Sequence, residues 1–148
     1  MATNRRVTEA SPGQVWEVLA DGWLYPLWVV GASRMREVDD SWPQPGAKLH
    51  HSVGTWPALL DDRTESLECR VESLLKLHAH AWPAGRAEVV IRLVAHGTGT
   101  EVVMEEQATA GPGALVPAAL QDPLITWRNT ESLRRLAFLV EGRMSRGA

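Results

Sequence analysis

Asp122-Pro-Leu-Ile-Thr-Trp-Arg-Asn-Thr-Glu-Ser-Leu-Arg-Arg-Leu-Ala-Phe-Leu-Val-Glu-Gly142 is the stretch whose reading decides the fold. Ile125, Asn129, Leu133, Leu136 and Val140 recur at steps of three and four and form one stripe of a long amphipathic helix. Arg128, Glu131, Arg134, Arg135 and Glu141 fall mostly off that stripe. Asp122 supplies an N-cap, Pro123 a first-turn proline and Gly142 a stop, so the spacing predicts a helix over 122–142. Such a helix needs an apolar surface to lie on.

The preceding chain supplies one. Arg5 to Glu9 reads as a short strand, and Ser11-Pro-Gly-Gln14 matches a capping box that opens a helix with Val15, Trp16, Val18 and Leu19 on its buried side. Asp21-Gly22 ends it, and Pro26 within Trp23 to Val29 indicates a short second helical turn and a bend. From Ser33 the period changes to two. Strands are expected at Ser33–Val38, Ala47–Val53, Leu59–Leu67, Leu74–Trp82, Arg86–Ala95 and Glu101–Thr109. The breaks between them are short, so neighbouring strands should be antiparallel. The order is one strand, two short helices, six strands and a long helix, which is an α+β layout.

A chain of 148 residues suits one domain spanning 1–148, able to bury about 68–70% of its unfolded surface. The net charge of -3 with mixed signs argues against nucleic acid as a partner. Cys69 is the only cysteine, which excludes an internal disulfide and suits a reducing compartment. Met1 to Arg6 lacks the apolar core of a signal peptide, and no apolar run reaches the ~20 residues that span a bilayer; a cytoplasmic location is the expectation. Seven tryptophans stand against one tyrosine and one phenylalanine. Indoles favour places that are part apolar and part polar, so some should line a cavity.

The opening strand, the segment from Ser11 to Asp21, the segment from Trp23 to Trp28 and the segment from Arg128 to Leu136 together resemble the START/Bet v 1-like (SRPBCC) superfamily. The similarity is greatest to its polyketide cyclase/dehydrase and lipid transport branch and covers essentially the whole chain. The resemblance implies a helix-grip fold: a seven-stranded antiparallel sheet curled around the C-terminal helix, with a ligand cavity between. It implies no single activity, because members bind lipids, polyketides or hormones and a minority catalyse cyclisation or dehydration. No catalytic signature of a particular member is matched.

Strand alternation sorts the side chains. Leu49 and His51, then Asp62, Thr64 and Ser66, then Leu77, Ala79 and Ala81, then Ala87, Val89 and Ile91, then Met104, Glu106 and Ala108 should face the helix. Pairing the strands about their turns gives three rows. Ser66, Leu77, Ile91 and Met104 form a bulky row. Leu49, Thr64, Ala79, Val89 and Glu106 follow, then His51, Asp62, Ala81, Ala87 and Ala108. Volume falls along the sheet where polar groups appear, so a pocket is expected at that end.

His51 and Asp62, as cross-strand neighbours, could form an acid/base pair, the carboxylate orienting and charging the imidazole; a satisfied buried pair or an exposed rim pair is the alternative. Asn129 could donate to a ligand carbonyl or to the backbone, and Ile125 should overlook the same end. Trp28, Trp56 and Trp82 are lining candidates, as is Trp127, each with core packing as its alternative. His50, His78 and His80 invite a metal reading, which the expected position of Arg63 between them opposes. No metal and no cofactor are assigned.

Binding of a hydrophobic or aromatic small molecule, lipid- or polyketide-like, is the favoured expectation; a cyclase/dehydratase-type enzyme using His51 and Asp62 is the first alternative and a protein-interaction module the second. A homodimer is compatible with each.

Overall fold

The computed structural model describes residues 1–53, 60–81 and 85–147. Seven strands are β1 (Ala2–Thr8), β2 (Ala32–Val38), β3 (Lys48–Val53), β4 (Leu60–Arg70), β5 (Leu74–Ala81), β6 (Gly85–His96) and β7 (Gly99–Ala110). They form one antiparallel sheet in the order β1-β7-β6-β5-β4-β3-β2. Strands β2 to β7 are thus a meander, and β1 joins its far edge. The chain crosses from one edge to the other through α1 (Pro12–Leu19), a 3-10 turn at Gly22–Leu24 and α2 (Tyr25–Trp28). A long helix, α3 (Ala118–Gly147), packs against β1, β7, α1 and α2. This is the helix-grip arrangement.

Local chemistry explains the first helix as the sequence predicts. The Gln14 amide donates to Ser11 Oγ at 3.2 Å, and the Ser11 amide donates to Gln14 Oε1 at 2.9 Å, so two otherwise orphaned donors satisfy each other. Val15 and Val18 of α1, Leu49, Leu75 and Ile91 of the sheet, and Leu136 and Val140 of α3 are fully buried together and make the core.

Several boundaries differ from the sequence reading. β1 begins at Ala2 and not at Arg5, because Ala2, Asn4 and Thr8 face inward and are buried although two of them are polar. β4 continues past Leu67 to Arg70, absorbing a bulge where pairing with β5 shifts between Ser66 and Glu68. The helix over 122–142 extends at both ends. It starts at Ala118, where Leu120 and Gln121 donate to the Pro117 carbonyl, so Asp122 is no N-cap and Pro123 lies inside the helix. Gly142 does not stop it: the helix runs on, and Met144 still packs on the core.

Register follows expectation in most ladders. Leu49 pairs with Thr64, His51 with Asp62, Thr64 with Ala79 and Ile91 with Met104. Between β5 and β6 it is two residues off: Leu77 faces Val89 and Ala79 faces Ala87, where the sequence pairs them with Ile91 and Val89. The cause is Gly85, taken from sequence as a turn residue but lying in the ladder opposite Ala81. A Cβ at Gly85 would stand 2.0 Å from the Ala110 carbonyl oxygen, so only glycine fits there. One row therefore reads Thr64, Ala79, Ala87, Ala108, with the alanines adjacent.

Truncating Leu136 to Ala, in the sealed part of the core, should cost about 3 kcal/mol in urea unfolding. Gly142→Ala should instead stabilise the fold by about 0.5–1 kcal/mol, since the position is interior to α3 and a Cβ there meets nothing within 4 Å.

Candidate functional site

The inner face of β3 and β4 meets α2 in a buried polar chain. His51 Nε2 lies 2.9 Å from Thr64 Oγ1, which lies 3.3 Å from the Tyr25 hydroxyl. Thr64 is fully buried, and His51 and Tyr25 are nearly so. The Tyr25 ring lies over His51 with centroids 5.4 Å apart and a 30° tilt, and meets Trp28 edge-on at 5.6 Å. Whichever direction the protons run along this chain, the remaining imidazole atom, His51 Nδ1, has no hydrogen-bond partner among the described residues. The chain is a short relay that ends on an unused imidazole nitrogen.

Burial decides the charge of that imidazole. Desolvation pulls the His51 pKa from 6.5 to about 4; the Asp62 carboxylate pushes it up, and Arg36, His50 and His80 add to the lowering. Asp62 favours the charged ring, as the sequence reading has it, but burial outweighs it. The two residues are cross-strand partners, but Thr64 holds the ring and the imidazole is neutral near pH 7. The Asp62 carboxylate accepts from the Arg63 amide at 2.8 Å and lies 4.0 Å from His80 Nδ1. Arg36, from β2, donates to the carbonyls of both His51 and Asp62 and ties this end of the sheet together.

On the helix side, Arg128 forms an ion pair with Glu106 of β7. Burial raises the Glu106 pKa and Arg128 opposes the rise. Asn129 is buried on the inward stripe as expected, and its Nδ2 has no partner among the described residues. Asn4 donates to the Thr126 carbonyl and to Thr130 Oγ1, binding β1 to the same part of α3. Glu106, Arg128 and Asp62 all act electrostatically on the Tyr25 hydroxyl, whose pKa is raised chiefly by burial. These groups thus share one interior region.

Of the remaining candidates, Leu49 is fully buried, Val89 and Trp28 nearly so, and Ile125 is half-buried. Ala79 and Ala87 lie side by side in the same row as Thr64 of the relay. Ala81 pairs with Gly85 at the strand end, while Trp56 and Trp82 lie outside the described residues. Trp127 does not line the interior: it is 68% exposed, on the outer side of α3 with Leu120 and Leu124. His50 is held by Asp39 at 3.2 Å, and His78 and His80 stand with ring centroids 5.1 Å apart.

Two residues of the cluster escaped sequence reasoning. Arg128 sits beside Asn129 and three residues after Ile125, a spacing that already admits it to the inward side; its charge argued against it. Tyr25 is the only tyrosine, set between Leu24 and Pro26, and nothing local signals that its hydroxyl meets Thr64.

The depressed His51 pKa makes a pH prediction. Between about pH 6.5 and 4 the unfolded chain binds a proton at this position that the folded chain refuses, so stability is present above 6.5 and falls as pH drops. The full loss is on the order of 3 kcal/mol. His51→Gln should flatten the denaturation midpoint against pH in that window.

No family model and no curated protein matches the chain in sequence. Solved structures do match in shape. Ara h 8.0201 superposes with a TM-score of 0.72 over 95% of this chain and 96% of its own, at 11% identity. A Rhodobacter sphaeroides protein gives 0.72 over 95% and 91%, at 21% identity. The di-domain ARO/CYC StfQ from the steffimycin biosynthetic pathway gives 0.72 over 97% of this chain and 51% of that one, at 11% identity, so the chain spans about half of StfQ's length. Identities this low establish the architecture and no activity. What the chain shares with these proteins is the fold: a seven-stranded antiparallel sheet gripping a long C-terminal helix.

Proposed function

We propose that the protein binds a hydrophobic or aromatic small molecule, lipid- or polyketide-like, between α3 and the alanine-lined end of the sheet. One observation carries this reading. Ala79, Ala87 and Ala108 alternate onto the same face as the buried Thr64 and Leu77, yet all three are partly exposed. Inward side chains that remain accessible indicate space above them. The row before them, Ser66, Leu77, Val89 and Glu106, is closed.

The flanking polar atoms fit the same reading. His51 Nδ1 on the sheet and Asn129 Nδ2 on α3 are buried without partners among the described residues, a costly state that an oxygen-bearing ligand would relieve. Trp28 and Tyr25 add flat walls, and Leu49, Thr64, Val89, Glu106 and Ile125 complete the lining. The fold shared with StfQ, a di-domain ARO/CYC of the steffimycin biosynthetic pathway, is in keeping with this reading.

The second reading is acid/base catalysis of a cyclisation or dehydration by His51 with Asp62. Its support is that the imidazole is neutral and keeps one free nitrogen. Its difficulty is magnitude: a base with a pKa of about 4 is a weak proton acceptor at neutral pH, well below the matched value that general bases use. Binding is therefore preferred.

Ala87→Trp should fill the space and weaken binding of a hydrophobic fluorescent probe about tenfold or more while leaving the circular dichroism spectrum unchanged. Undiminished binding would refute the pocket. If the catalytic reading holds, His51→Ala and Asp62→Asn each abolish turnover of a ligand that co-purifies in native mass spectrometry; unchanged turnover reduces both to lining.

A further inference from the structure

A groove of about 490 Å³ opens beside α1 and shares none of the residues of the interior cluster. Three of the seven tryptophans border it: Trp16 from α1, Trp23 from the 3-10 turn and Trp42 from the β2–β3 connection. Trp16 is buried and forms a fixed wall. Trp42 is half-buried and anchored, its indole N–H donating to the Leu19 carbonyl at 3.2 Å. Trp23 is 57% exposed, an indole standing in water at the groove. Gly22 packs the turn closely: a Cβ there would meet Leu49 at 2.4 Å, Val38 at 2.9 Å and Trp42 at 3.3 Å.

The charge of the groove has one sign. Glu17, Asp21, Asp39 and Asp40 line it, with no lysine, arginine or histidine among the lining residues. Asp39 accepts from the Lys48 amide and from His50, and Asp21 accepts from the Trp23 amide. Neither Glu17 nor Asp40 has an ion pair among the described residues. No three acidic, histidine or cysteine side chains converge to hold a metal ion among those residues. A compact metal ion needs converging oxygens; a diffuse organic cation needs aromatic faces with carboxylates around them.

We propose that this groove binds an organic cation of the methylated or quaternary ammonium class. The indoles of Trp16, Trp23 and Trp42 contact the methyl groups through their faces, and Glu17 and Asp40 supply the countercharge. The volume suits a small ligand. None of the interior pocket's polar residues lines the groove, so the proposal does not rest on that pocket.

The test is an NMR titration of the 15N-labelled full chain with choline chloride, following the indole N–H signals, beside 3,3-dimethylbutan-1-ol as the neutral isostere. Choline should shift the indole signals of this groove saturably, and the alcohol should bind at least tenfold more weakly. Trp23→Ala and Asp40→Asn, both at exposed positions, should each weaken choline severalfold with the dispersion of the spectrum retained. Equal binding of the neutral alcohol, unaltered choline affinity in Trp23→Ala, or no indole shift with choline would each overturn the proposal.

Discussion

The structure depends on the burial of one side of α3 against the sheet. Leu133, Leu136 and Val140 meet Val15 and Val18 of α1 and Ile91 and Val102 of the sheet in a single buried cluster. Fully burying a leucine or valine contributes roughly 1.5–3 kcal/mol, so a few such side chains outweigh any surface ion pair in the molecule. The grip is also asymmetric. Toward its C-terminal half α3 is sealed by aliphatic contacts; toward its N-terminal half the same side carries Asn129, Ser132 and Arg128. A helix clamped at one end is free to present polar groups at the other.

Those polar groups sit where burial outweighs local pairing. Asp62 faces His51 across the ladder, which in water would favour the imidazolium, yet desolvation wins and the ring is neutral. Glu106 has a guanidinium against it, and burial still raises its pKa. The Tyr25–Thr64–His51 chain leaves His51 Nδ1 without a partner among the described residues. An unbonded buried polar atom keeps its full desolvation cost, so this part of the interior is less stable than an apolar packing of the same shape would be.

Four of the described tryptophans divide between two environments, apart from the exposed Trp127. Trp28 belongs to the interior wall beside Tyr25, whereas Trp16, Trp23 and Trp42 gather around the outer groove. Composition indicated that indoles should border cavities; it carried no information on how many cavities share them.

The architecture was legible because it rests on periodicity. The three- and four-residue spacing from Ile125 to Val140 marks α3, the change to alternation at Ser33 marks the meander, and Ser11 with Gln14 marks α1. Each signal is local and each survives folding. The pairing of His51 with Asp62 and of Leu49 with Thr64 followed from turn symmetry alone. Tertiary structure decided the rest. The two-residue shift between β5 and β6 depends on Gly85 entering the ladder against the Ala110 carbonyl, a close approach between segments 25 residues apart in sequence. The helix ends were set by the Pro117 carbonyl and by the packing of Met144, not by Asp122 and Gly142. The protonation of His51 and the meeting of Tyr25 with Thr64 and of Arg128 with Glu106 required the assembled interior. Residue type and spacing fix which face a side chain turns, but desolvation and partner choice exist only once the faces have closed on one another.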